Sequence, residues 1–454
     1  MSGPDHRVGP GVVLAFLSAM ALNGLDATII TPALPRIASD LGAGLDHITA
    51  VEWSFLVAAG LALPAAGWAG SRWRPAWVLA CCSVVFALGC AVALAAPVLE
   101  VLVAARALQG IASGLMVPVG LVMAYDGATG SDRLRIARWT TVPLTLVPMV
   151  GPLLGGWLTQ HHGWRSMFAV LLVLAMVVAL TTWWVGRDGR ATDPAARLDA
   201  IGLLLVGGAI LLATIALPLS SSSLPLALGC LVVAVPVAFL ARRWCRRPGR
   251  VLDLGVTRLR TFRAGLVTTA LCAAVVNALL CAVPVLLVTR QGHSTTEAGL
   301  VLAAESLGVL LGARLVGSAQ RFGVRGWVLA SVLATVPCVV VALLGGGRWA
   351  LPTAATGLAL VGILLGQPTM LGQVMAFHGL AGEQMPSATV LLMGLRSVAS
   401  AWGVVAVSLT LPHPGAALWC AALTVVLVLA LLLPVGRVPA ATWAATVGDG
   451  PGPA

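Results

Sequence analysis

The chain of 454 residues has no lysine, one tyrosine and few charges of any kind, with Asp, Glu, Lys and Arg together making up 9% of it. An ordinary soluble domain is about a quarter charged, so this composition excludes that class. Metal-spaced groups of His, Asp and Glu are missing, as are a nucleophile triad and a Gly-rich phosphate loop. Those absences argue against direct use of ATP and against a resident metal or cofactor. They also argue against an integral membrane enzyme, which would gather carboxylates or histidines at a membrane surface. What fills the chain is apolar: hydrophobic residues make up 59% and the mean hydropathy is +0.99. The nine cysteines fit this picture, eight lying in apolar runs and Cys245 in an arginine-rich segment. None stands at metal-ligand spacing from a histidine, so they read as small buried side chains.

Apolar runs of about 20 residues, the length that crosses a bilayer as a helix, predict fourteen spans. They lie at 11–34, 53–71, 77–98, 101–124, 139–160, 166–186, 200–218, 225–241, 264–289, 298–319, 327–347, 351–376, 388–411 and 415–436. The pair 200–218 and 225–241 is short and joined by Leu219-Ser220-Ser221-Ser222-Ser223; read as one re-entrant hairpin, it leaves twelve true spans. The first span is long and carries Asn23 and Asp26, unlike a cleaved signal peptide.

A net charge of +11 invites a nucleic-acid reading, but its distribution excludes one. With the N-terminus inside, twenty arginines fall on the cytoplasmic side, Arg7, Arg72, Arg133, Arg321, Arg325 and Arg437 among them. Only Arg36, Arg165, Arg290 and Arg348 fall outside. That bias predicts cytoplasmic N- and C-termini, with some attraction to anionic lipid. Polar stretches at 187–199 and 242–263 divide the chain. The expected organisation is an N-terminal six-helix bundle over 1–190, a two-helix insert over 191–250, a C-terminal six-helix bundle over 251–440 and a disordered tail over 441–454. Both halves carry a short basic turn after their second helix, at 70–74 and 320–325. Two such halves are the mark of a transporter built from repeats, with its site between them near the midplane.

Five charges interrupt the apolar spans: Asp26, Arg106, Glu305, Arg314 and Arg396. A charge in hydrocarbon costs at least about 2.5 kcal/mol, so such residues face a protein interior or a watery path. Asp26 lies about 22 Å up its span at 1.5 Å per residue, and Arg106 descends to nearly the same depth. A carboxylate held ionised there by a guanidinium is suited to taking and releasing a proton. The competing reading is a static bridge that lets two buried charges coexist. Glu305 lies about 10 Å below the outer surface, with Asn277 at a similar height on the preceding helix. It reads as a second proton site, a contact for a cationic substrate, or a carboxylate bonded to a nearby hydroxyl. Arg314 sits close enough to the inner surface to snorkel. Arg396 is deeper and is a candidate cavity residue with Asn23, Gln109, Asn277, Gln367 and Trp402. Gly151 and Gly155, in Pro148-Met149-Val150-Gly151-Pro152-Leu153-Leu154-Gly155-Gly156, form a small-residue face that permits close helix contact.

These strings resemble the drug:proton antiporters of the major facilitator superfamily, in particular the fourteen-helix branch, over nearly the whole chain. Asp26 matches the acidic position of the family's "LDxTIVNxALP" pattern. Arg106, Gln109 and Gly110 match "RxxQG", which in that family is tied to proton coupling. Gly151, Pro152, Gly155 and Gly156 match the antiporter motif "GPxxGG", followed by Trp164, Arg165 and Phe168 in "WRxxF" order. Residues 198–202 look like the start of the extra helix pair, Leu259 and 261–263 resemble the opening of the second half, and Arg396 with Gly403 resembles its late "RqxGxxxG" helix. Two departures stand out. In the cytoplasmic gate loop, Gly67, Gly70 and Arg72 survive while Ser71 replaces an aspartate and Arg74 a glycine. Glu305 stands where proline and apolar residues are usual. The resemblance implies an all-α membrane protein with the major facilitator fold: two six-helix bundles plus a central two-helix insert. It also implies a monomer in the bacterial inner membrane that exports lipophilic small molecules, cations among them, against protons, with no cofactor and no nucleic-acid partner. Arg72, Arg133, Arg321 and Arg325 would serve the cytoplasmic gate. The alternatives are a dedicated exporter of one endogenous lipid, siderophore or secondary metabolite, and a transport-dead sensor or scaffold.

Overall fold

The computed structural model describes residues 10–44, 47–125, 130–185, 199–247, 254–314, 350–380 and 384–410. Among these residues every regular element is helical. The first half comprises α1 (Pro10–Ile29), α2 (Leu34–Leu41), α3 (Ala50–Arg72), α4 (Pro75–Ala95), α5 (Leu99–Tyr125), α6 (Gly130–His162) and α7 (Arg165–Val185). The pair α8 (Ala200–Ser222) and α9 (Leu224–Cys245) follows, then α10 (Arg260–Gln291), α11 (Thr295–Arg314), α12 (Ala350–Phe377) and α13 (Met385–Thr410). Ten stretches in these helices are long and apolar enough to cross a membrane. The spans expected at 327–347 and 415–436 lie outside the described residues, as do the tail and gate residues Arg321 and Arg325.

The breaks in the helices have local causes. Pro32 enters a single 3-10 turn, Thr31–Ala33, between α1 and α2, because a proline ring removes a backbone donor and enforces a bend. Left-handed glycines end two helices, Gly42 at φ 62° after α2 and Gly292 at φ 70° after α10, a conformation that costs glycine least. Asp199 caps α8 by accepting from the Gly202 amide at 2.9 Å, and the same carboxylate accepts from Trp244 Nε1 at 2.9 Å near the end of α9. One side chain therefore fastens the two ends of an antiparallel hairpin. Its helices have 23 and 22 residues, each about 33 Å long at 1.5 Å per residue.

Helix packing is set by small residues, as expected where no water drives association. Gly110 and Gly114 bring α5 against the carbonyls of Phe55 and Ala59 on α3; Gly308 and Gly312 bring α11 against those of Ala359 and Ile363 on α12. Gly403 does the same for α13 against Ala274 on α10. The first group joins the second through α6 on α11, α3 on α13, and the Thr31–Ala33 turn with α2 on α10. One contiguous apolar core runs through both groups, from Leu22 and Phe86 to Leu286 and Val404. The α8–α9 hairpin rests on the seam between α3 and α13: Gly207 faces Leu61, and Trp402 Nε1 donates to Thr214 Oγ1 at 3.2 Å.

Candidate functional site

Three helices converge on one guanidinium. Arg106, on α5, is fully buried and donates from Nη1 to Asp26 Oδ1 on α1 at 2.6 Å, with Asp26 also fully buried. The same nitrogen donates to Gln109 Oε1 at 2.9 Å, one helical turn along α5, where residues three apart share a face. Nε donates to the Val51 carbonyl of α3 at 3.3 Å, and the Phe55 ring on that helix lies 4.4 Å beneath the guanidinium carbon. Gln109 carries the chain of bonds outward to Cys90 Sγ on α4 at 2.9 Å. Hydrogen bonds plus an opposite charge are what a buried ion needs, since removing either partner of such a pair costs about 3–5 kcal/mol. The network is nevertheless incomplete: Asp26 Oδ2 and Arg106 Nη2 have no hydrogen-bond partner among the described residues.

A further carboxylate belongs to this cluster that the sequence reading passed over. Glu52 opens α3, is 6% exposed, and accepts a long bond of 3.5 Å from Thr31 Oγ1 in the turn after α1. It stands within electrostatic range of both Asp26 and Arg106. The predicted span starts at residue 53, which leaves Glu52 just outside it. An acidic residue beside Val51 with no base within reach along the sequence was the available signal.

The second half is arranged differently. Glu305 on α11 is 1% exposed and neither carboxylate oxygen has a hydrogen-bond partner among the described residues. Gln367 on α12 is fully buried and both of its amide atoms are likewise unpartnered. Asn277 donates to Ser400 Oγ at 3.0 Å and to its own helix. Arg396 is exposed on α13, and Trp402 bonds the hairpin as described. In the first half, Asn23 donates to Ser113 across α1 and α5. The structure thus gathers Asp26, Arg106 and Gln109, places Glu305 and Gln367 on adjoining helices, and fixes Asn23 and Asn277 to serines.

The glycine motif has a direct steric role. A Cβ on Gly151 would meet Thr28 Oγ1, one on Gly155 the Ile29 carbonyl, and one on Gly156 the Thr295 carbonyl. Reciprocally, Gly299 faces the Pro152 carbonyl, while Ser306 Oγ donates to the Pro148 carbonyl at 3.0 Å. This stretch of α6 is therefore wedged between the end of α1, three residues beyond Asp26, and α11 of the other group. The "WRxxF" residues close a neighbouring joint. Arg165 donates to the Ala96 carbonyl at 2.7 Å and the Leu94 carbonyl at 3.2 Å, covering the otherwise orphaned end of α4. At the altered loop, Ser71 Oγ bonds back to the Trp68 carbonyl at 3.1 Å and Arg72 is exposed. Arg133 lies on α6, and Arg314 ends α11.

Residues 16–404 match the family model described as Major Facilitator Superfamily. The chain belongs to that superfamily. Among relatives of this major facilitator, a protein of Cronobacter sakazakii named "Putative multidrug resistance protein MdtD" is 31% identical over 340 residues, covering 73% of this chain and 72% of the relative. A protein of the same name from Yersinia enterocolitica is 29% identical over 320 residues, covering 69% and 67%. Among solved structures, a bacterial homolog of the human lysosomal transporter Spinster, inward-facing and unoccupied, superposes with a TM-score of 0.64 at 16% identity, over 96% of each chain. A mutant of the nucleoside transporter NupG gives 0.65 at 12% identity, over 93% of this chain and 99% of that one. These two likenesses show the same all-helical fold, in keeping with the family match.

Proposed function

We propose that this chain is a proton-coupled exporter of lipophilic small molecules, cations among them, working by alternating access across the bacterial inner membrane. The observation that carries the reading is the fully buried ion pair between Asp26 and Arg106. Protonating Asp26 cancels its charge and weakens its hold on Arg106, so the guanidinium has to be balanced by another group and the side chains around it rearrange. Asp26 also sits where α6 wedges α1 against α11, so a shift at the pair reaches the contact between the two helix groups. The names of the relatives support multidrug export, and the arginine distribution supports cytoplasmic termini. The antiparallel α8–α9 hairpin supports the fourteen-helix branch. The proton is the coupling ion, no cofactor enters, and a monomer suffices.

Glu305 is the second proton or cation site in this reading, because a carboxylate buried without partners gains most from a proton or a positive ligand. Gln367, likewise unpartnered among the described residues on the adjoining helix α12, favours a second reading, a dedicated exporter whose one substrate spans both hydrogen-bonding groups.

The test uses inside-out vesicles energised to an acidic lumen. Lipophilic cations, neutral drugs and lipids are added in turn to wild type, Asp26→Asn and Glu305→Gln. The expected result is that some compounds release lumenal protons in wild type and none does in Asp26→Asn. Response to a single compound class would favour the dedicated exporter, and no proton release from folded wild type by any compound would reject the antiporter.

A further inference from the structure

The cluster around Arg106 contains two carboxylates and one guanidinium, and the second carboxylate has no role in the mechanism above. From this geometry we infer that Glu52 is the alternate counter-ion of Arg106, so that Asp26 and Glu52 share one proton around a single permanent positive charge. The inference rests on the proton-coupled reading for its use, but not for its evidence. Arg106 and Asp26 are fully buried and Glu52 is 6% exposed. With both carboxylates ionised the cluster carries one uncompensated negative charge in an apolar surrounding, which is expensive. With one proton present the cluster is neutral, and like charges held close cannot both persist without cost.

The geometry leaves room for an exchange of counter-ion. Arg106 commits Nη1 to Asp26 and Gln109 and Nε to the Val51 carbonyl, the residue before Glu52. Nη2 has no partner among the described residues, and neither has Asp26 Oδ2. Among the described residues Glu52 is held only by the long contact from Thr31, and the first turn of a helix favours a negative charge. When the shared proton passes to Asp26, the O–H bond on Glu52 breaks, one forms on the Asp26 carboxyl group, and the now ionised Glu52 is the counter-ion of Arg106. When Asp26 gives that proton up, it is the stronger partner of the guanidinium and the shared proton resides on Glu52. The titratable and charged groups facing Glu52 among the described residues are Asp26 from α1 and Arg106 from α5. The Cys90 thiol on α4 lies beyond, in electrostatic range of Asp26 and Arg106. Glu52 is the least buried of the three charged members, and the turn that leads into α3 carries the exposed His47.

The experiment is a thermal-unfolding cycle on purified full-length protein in detergent, with infrared difference spectra of the carboxyl groups as a second readout. Asp26→Asn and Glu52→Gln each leave Arg106 one counter-ion, so each single variant should lower the melting temperature only modestly. The double variant should fall by more than the sum of the two, and adding Arg106→Gln should recover much of that loss. In the spectra, wild type should show two coupled steps that Glu52→Gln reduces to one. Additive falls with no recovery, or spectra unchanged by Glu52→Gln, would overturn the inference. If the double variant does not fold, recovery in the triple variant decides the matter. None of these measurements needs transport, so a failed vesicle assay with a non-additive cycle would reject the exporter and keep the shared proton.

Discussion

The two halves hold their buried polar groups in opposite ways. In the first, Asp26, Arg106, Gln109, Cys90 and the Val51 carbonyl form a connected chain of hydrogen bonds around one cation. In the second, Glu305 and Gln367 are as deeply buried and have no hydrogen-bond partner among the described residues. A satisfied network rigidifies and is costly to break, while an unsatisfied carboxylate is costly to keep. The first arrangement suits a switch whose two states are both built into the protein. The second suits a group completed from outside, by a proton or a ligand. The contrast makes predictions about stability and transport that run in different directions for two carboxylates of similar burial.

The largest effect is expected for Arg106→Ala. It leaves Asp26 and Glu52 uncompensated and should destabilise by about 3–5 kcal/mol, as loss of one partner from a buried ion pair does. Thermal unfolding in detergent should show a marked fall, partly reversed by Asp26→Asn in the same chain. Next comes Gly155→Ala, whose methyl group would collide with the Ile29 carbonyl. Overpacking of this kind costs about 1–3 kcal/mol, and transport should be lost even where folded protein is recovered. Fluorescence-detected chromatography against vesicle flux separates those two readouts.

Glu305→Gln sharpens the comparison because its sign is opposite. Replacing an unpartnered carboxylate by a neutral amide of the same shape should leave the melting temperature equal or raised, while export of cationic compounds falls and that of neutral ones is largely kept. A clear loss of stability would mean that Glu305 is a paired structural residue. The smallest effect is expected for Trp402→Phe. It removes one hydrogen bond between α13 and α8, worth about 0.5–1.5 kcal/mol, and should lower the melting temperature slightly with flux intact.

How much of this was legible in the sequence follows from the physics of each part. Apolar runs and charge asymmetry mark helices in a membrane because a span must satisfy its own backbone and carry few charges. The described helices coincide with twelve of the fourteen predicted runs. Asp26 and Arg106 stand out for the same reason, as charges where charge is costly, and a depth count at about 1.5 Å per residue puts them near one level. Glu52 was hidden by its position at a helix end, where an acidic residue is unremarkable and burial depends on what packs above it. The glycine motif announced close approach, but not that Gly155 meets α1 while Gly156 meets α11. Such contacts are made between distant parts of the chain, and no local pattern records them. Gln109, expected to line a cavity, instead reaches from Arg106 to Cys90 within the first half. The wheel of α5 alone does not reveal which neighbour occupies that face.

The most direct test of the central claim, that the carboxylate held by Arg106 exchanges its proton against substrate, is made on purified protein in weakly buffered detergent. Once a transported compound is identified, proton release is recorded as that compound is added. Competition between proton and substrate requires each to weaken the other's binding by the same factor. Wild type should therefore release protons in proportion to bound compound, and its affinity should rise with pH. Asp26→Asn should bind the compound with little proton release and a flat pH dependence. Equal proton release from wild type and Asp26→Asn would contradict the account, because the coupling proton would then reside elsewhere.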